Sequence, residues 1–185
     1  MRRISPLDML SGMELFLTQS LKATTPEIGE ALWRLGEART RTRERVNKIG
    51  EVDWTAGPGL SSVGDLLYHI AAIELDWLAV EVCGDVFPPG WNAWFPVDVR
   101  SSDGRLTQMR GEALERHLER LAWVRAELVK TFEVMTPEDY HRPRELSAYT
   151  VTPAWVLHHL TLHEAHHAGQ IAFLGHLHRA APGPA

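Results

Sequence analysis

Ten histidines stand in this chain of 185 residues, and seven of them (His158, His159, His163, His166, His167, His176 and His178) fall in one C-terminal segment. Within it His163 and His167 are four apart, so on a helix they project about 40° from one another, one turn above the other. Two imidazoles so placed can share a metal ion. Val156, Leu160, Gln170 and Leu174 lie on the same side of that helix, which directs the pair into a core. His158 and His176 fall on the far side, and His159 and His166 flank the inner face. A buried neutral imidazole needs a partner at each ring nitrogen, and a stacked pair meets that need poorly without a metal or water.

A third imidazole is available upstream. His69 shares a helix face with Leu66 and Ile73, and with the 163/167 pair it makes a set of three neutral nitrogens on two helices. Three histidines are the donor set of an open catalytic site, which leaves coordination positions for water or substrate. The expected cofactor is one divalent ion, with zinc or nickel the metals that suit three imidazoles. Asp65 and Asp76, on the same broad face as His69, and Gln170, three residues after His167, are groups that could orient imidazoles or water. For the two aspartates a solvated helix edge is the competing reading.

His163-Glu164-Ala165-His166-His167 also spells His-Glu-x-x-His, the zinc-protease signature. The context is wrong for it. No Asp or Glu follows Glu164, and Phe173 stands where the extended form needs its third histidine. Glu164 projects about a quarter-turn from the ligand face, toward a neighbouring helix or solvent. The lone Cys83 lies in an apolar stretch and reads as a small buried hydrophobe rather than a nucleophile.

Four helical segments must position these groups, and no strand-like alternation bounded by turn residues is visible. The chain reads as all-α, one domain over 1–185. The first helix follows Pro26 and runs to about Ile49. Arg39, Arg41, Arg43 and Arg45 crowd its second half, but alternate positions do not share a helix face, so they read as solvated rather than as an anion site. The second starts at Ser61 or Ser62, with Ser62 and Asp65 spaced as a capping pair, and ends near Gly84. The third spans about Thr107 to Met135. The fourth takes Thr152 as N-cap and Pro153 at its first position, then runs to about Arg179. Residues 1–25 form an extension with a short helix expected around Met13 to Leu21, and 180–185 a frayed tail. About a dozen residues join the first two helices and more than twenty the next two, a link long enough to run the bundle's length. The expected topology is therefore a four-helix bundle connected up-down-down-up. That long link carries Phe87, Trp91, Trp94 and Phe95, and either covers a pocket or caps the core.

Composition narrows the partners. Lys and Arg number 19 against 24 Asp and Glu, a net charge of −5, which offers no basic face to nucleic acid or to an acidic membrane. With 44% apolar residues and mixed charge the chain is expected to be globular. Asp65, His69, Glu74 and Asp76 interrupt the longest apolar run, so no transmembrane helix is expected, and with no secretory signal visible the expected location is cytoplasmic.

Three pieces of this sequence resemble the DinB/YfiT-like superfamily of metal-dependent enzymes. They are Asp53-Trp54 followed by Ser61-Ser62-Val63-Gly64-Asp65-Leu66-Leu67-Tyr68-His69-Ile70-Ala71 with Glu74 and Trp77, then His163-Glu164-Ala165-His166-His167-Ala168-Gly169-Gln170-Ile171, and the helix order between them. The resemblance runs from about Pro26 to Arg179 and maps the family's metal triad onto His69, His163 and His167, the three that helix phase selects. It implies an up-down-down-up bundle, often a homodimer, with a divalent metal at one end. It implies an activity on a small molecule, with transfer of a low-molecular-weight thiol to an electrophile the foremost reading. A metal-dependent hydrolase and a non-catalytic metal-binding stress-response protein are the alternatives. The extension before Pro26 and the Trp-rich link are departures from the family pattern.

Overall fold

A computed structural model describes residues 16–181. Its elements are α1 (Pro26–Val46), α2 (Val63–Asp76) continued by a π-helical segment Trp77–Val82, α3 (Leu114–Glu133), the short α4 (Pro137–His141), β1 (Arg144–Glu145), β2 (Thr150–Val151) and α5 (Pro153–Ala180). The described chain is thus mostly helical, as expected. The two-residue strands correct the expectation of no strand: Arg144 pairs with Val151 and Glu145 with Thr150, antiparallel.

Three of the long helices start where side-chain oxygens can satisfy free backbone N–H groups. Thr25 caps α1 ahead of Pro26, and Thr152 caps α5 ahead of Pro153. Ser62 and Asp65 form a reciprocal capping box at α2. The exception is α3, which begins at Leu114 rather than near Thr107. The Met109 N–H donates to Asp65 Oδ1 at 2.7 Å and the Gly111 N–H to Asp53 Oδ2 at 2.7 Å, and Gly111 has φ +74°, so these residues are held out of helical conformation. Of the helix expected around Met13 to Leu21, Phe16–Leu21 is not helical, and residues 13–15 lie outside the described residues, as does Pro182-Gly183-Pro184.

The core has two apolar parts. Val46, Leu66, Leu67, Ile70, Leu121, Val124 and Ile171 make one. Ile28, Leu32, Leu35, Leu78, Leu128, Phe132, Val156, Leu157 and Leu160 make the other. Each fully buried side chain of this size contributes roughly 1.5–3 kcal/mol. Between the two parts each long helix sends one charged residue inward: Arg39, Glu74, Arg125 and Glu164. Contacts advance in step along α2 and α3 (Gly64 at His117, Tyr68 under Arg120, Glu74 on Arg125) and along α1 and α5 (Arg39 on Glu164, Ile49 at Gly175). Those between the α1 and α2 regions run in opposite senses, Arg39 on Glu74 and Val52 on Gly64.

Candidate metal centre

His69 on α2 and His163 and His167 on α5 converge. His163 Nε2 lies 3.1 Å from His69 Nε2 and 3.1 Å from His167 Nε2. One ligand atom from each residue falls within 4.8 Å of the other two. Helix spacing accounts for the α5 pair, and the packing of α2 against α5 brings in the third ring. His69 and His167 are buried and His163 is half-buried.

Protons alone satisfy this cluster poorly. His167 Nδ1 is 2.6 Å from Gln170 Oε1, an acceptor only, so Nδ1 carries the proton and Nε2 presents a lone pair. A single proton on His163 Nε2 serves either the His69 or the His167 contact well, not both. The site therefore contains nitrogen lone pairs facing each other, which is what a cation resolves. Imidazole nitrogens about 2.0–2.1 Å from a tetrahedral ion lie about 3.3 Å apart, and on one face of an octahedral ion about 3.0 Å. The two spacings from His163, 3.1 Å each, fall between these values, and all three ligand atoms lie within 4.8 Å of one another, so this donor set fits a bound divalent metal.

Electrostatics act in the same direction. Burial, then His167 and Arg100, lowers the His69 pKa to about 4. Burial, then His167 and His69, lowers that of His163 to about 3. Burial also lowers His167, against the Gln170 hydrogen bond. At neutral pH all three rings are uncharged, the state a metal ligand requires.

The other sequence candidates separate. Gln170 sits on His167, as a group orienting an imidazole would. Asp65 does not reach the triad: it is buried at the head of α2, where it accepts from Ser62 N–H, Met109 N–H and Arg110. Neither a ligand-orienting group nor a solvated edge describes it. Asp76 is exposed, as an edge residue is, and its carboxyl is pushed up by desolvation and then by Asp85. Among the described residues neither aspartate hydrogen-bonds to an imidazole of the triad. Glu164 is far from free: its Oε1 accepts from Arg39 Nε at 2.6 Å and its Oε2 from Arg125 Nη2 at 2.9 Å. That occupancy removes it as a general base and with it the protease reading of the signature. Cys83 is half-buried, and burial pushes its thiol up.

Arg39 corrects the solvated-face reading of the α1 arginines. It is 8% exposed, and besides Glu164 it donates to Glu74 Oε2 at 2.7 Å and to the Leu121 carbonyl at 2.6 Å. Arg125 completes the ring through both carboxylates. The signal was present, because Arg39 continues the apolar row Ile28, Leu32, Leu35 toward Thr42 and Val46.

Two further features went unread in the sequence. Arg100 is close enough for its charge to lower both His69 and His167, and it lines a cavity of about 320 Å³ with Ala72, Asp76, Phe87, Trp91 and Phe95. Nothing but its place in the long link could have marked it. That link does both things expected of it: Phe95 is buried on Tyr68 and Trp94 stacks on Trp123, while Phe87 and Trp91 wall the cavity. The second feature is an aromatic row beside the triad. His159 stacks on Trp155 with rings 4.9 Å apart and 7° from parallel, and lies 6.0 Å from His163.

No described helix is long and apolar enough to cross a membrane. Residues 22–171 match the family model of the DinB superfamily. No curated protein matches the chain.

Proposed function

The chain belongs to the DinB superfamily, and from that premise we propose that it is a metal-dependent enzyme that transfers a small cytosolic thiol to an electrophile. The single observation that carries this reading is the convergence of three imidazole nitrogens, two pairs of them 3.1 Å apart and all three within 4.8 Å. A divalent ion, zinc or nickel, held by His69, His163 and His167 would supply the positive charge that lowers the pKa of a thiol or of water and offsets developing negative charge.

The protein's own part is positioning. Gln170 fixes the tautomer and tilt of His167. Burial keeps the three rings uncharged. Arg100 faces the same region as a cation able to hold an anionic group of the substrate, and the Phe87–Phe95 segment screens the neighbouring cavity from water. Cys83 has no place in the reaction. The sense of the helix contacts supports the up-down-down-up four-helix connectivity, within one domain. A homodimer acting on a small molecule is part of this proposal.

The test is conjugation of a panel of cytosolic thiols and electrophiles, followed by mass spectrometry with metal-loaded and chelated protein. Metal-dependent adducts that survive Cys83→Ser and vanish with His69→Ala are expected. Background rates throughout would overturn the transferase reading, and metal-dependent ester or amide hydrolysis without thiol would replace it with the hydrolase.

A further inference from the structure

Two rows of side chains run away from the triad in the same direction. On α2, His69 is followed by Ile73 and Trp77, and on α5, His163 is preceded by His159 and Trp155. Eight residues separate His69 from Trp77 and His163 from Trp155, about 12 Å along each helix. At that distance Trp77, Tyr149 and Trp155 wall an open pocket of about 540 Å³, with Pro143 also in its lining. Trp77 packs on both other rings, at 5.3 Å from Trp155 and 6.2 Å from Tyr149. It also opens the π-helical segment, and such local rewinding recurs at functional sites.

Behind this pocket lies a carboxylate without a countercharge. Glu81 is 4% exposed, its Oε1 accepts from the Tyr149 hydroxyl at 2.5 Å, and its Oε2 is buried with no partner. Among the described residues it joins no ion pair: Asp76 and Asp85 act on it as like charges, and Arg142 and Arg144, which line a cavity with it, pair with Asp139 instead. Burial pushes its carboxyl up, so the charged form is favoured when a cation arrives nearby. Tyr149 connects it to the pocket, because its ring is a wall and its hydroxyl donates to Glu81, which enriches the ring's π face. Aromatic faces backed by negative charge attract organic cations.

We propose that the Trp77–Tyr149–Trp155 pocket, backed by Glu81, binds an organic ammonium group, and that it holds the recognition end of the substrate about 12 Å from the His69–His163–His167 centre. The pocket's preference for a cation stands on its own geometry. Its role as a substrate subsite rests on the triad being the reacting centre. The substrate class is then a molecule with an ammonium head and a reactive group reaching along His159.

The experiment titrates the full chain with choline and with its uncharged isostere 3,3-dimethylbutan-1-ol, followed by tryptophan emission and by indole N–H shifts in NMR. Saturable choline binding at least tenfold tighter than the isostere is expected. Trp155→Leu and Glu81→Gln should each weaken choline at least fivefold and leave the isostere unchanged. Choline binding should persist after chelation and in His69→Ala, so a failure of the metal reading leaves this result legible. Equal affinity for the isostere would make the pocket merely apolar and overturn the proposal. So would the absence of saturable binding in folded protein. Trp155 is 47% exposed, so its variant remains a fair test even if Glu81→Gln does not fold.

Discussion

Glu164→Gln separates two roles for the glutamate of the His-Glu-x-x-His signature. A general base could be neutralised with loss of activity and little loss of stability. The structure requires the opposite. Glu164 is 1% exposed and bridges Arg39 at 2.6 Å and Arg125 at 2.9 Å, while Glu74 bridges the same two arginines from the other side. Two cations and two anions sum to zero. The amide leaves a net positive charge in the core and turns one acceptor into a donor facing an arginine. Breaking one partner of a buried charge pair costs about 3–5 kcal/mol. For a chain of this length each kcal/mol lowers Tm by about 2–4 °C, so a fall of about 6–20 °C is expected. Differential scanning calorimetry gives the shift, and elemental analysis of the same sample at a temperature where it is folded should find metal occupancy equal to wild type. A Tm within 2 °C of wild type would refute the buried-network reasoning, as would metal loss from folded protein.

Ala at His69, His163 or His167 is expected to take metal from one equivalent per chain to below about one tenth, and full occupancy in any of the three by elemental analysis would dismiss that ligand. Gln170→Ala should weaken metal affinity about 10–100-fold, read by competition with a chelator, without preventing loading at saturating metal. Acid should unfold the protein partly through Glu74. Burial alone raises its carboxyl, but Arg125 and Arg39 more than reverse this and hold it below the ordinary 4.5. Its contribution is therefore complete above pH 4.5 and lost as pH falls through the depressed folded value, so urea midpoints should decline below pH 4.5 and Glu74→Gln should flatten that decline. Cys83, whose thiol is pushed up by burial against Arg144 and Thr131, should react with iodoacetamide at neutral pH at least tenfold more slowly than a free thiol in the unfolded chain.

Local rules made much of this protein legible. The i, i+4 spacing that stacks His163 on His167 is a property of any α-helix, and so is the phase that turns His69 inward with Leu66 and Ile73. The starts of α1, α2 and α5 were equally readable, because Thr25, Ser62 and Thr152 satisfy N–H groups only a few residues away. Gln170 belongs to the same class, one turn from the ring it touches.

What the sequence left open depends on partners distant in the chain. Arg39 reads as solvated in the sequence although it continues an apolar row, because whether a guanidinium there is expelled to water or buried depends on Glu74 and Glu164, 35 and 125 positions away. Helix propensity ran α3 back to Thr107, and only the meeting of Met109 and Gly111 with Asp65 and Asp53 held that stretch extended. The aromatic pocket assembles Trp77 from a π-helical segment, Tyr149 from a two-strand hairpin and Trp155 from the first turn of α5, three places with no common periodicity. The sequence by itself determined which imidazoles share a helix face, since that geometry is local. Tertiary structure decided which charges could be buried and which rings meet, because the energy of a charge or of an exposed ring depends on what the other helices bring to it.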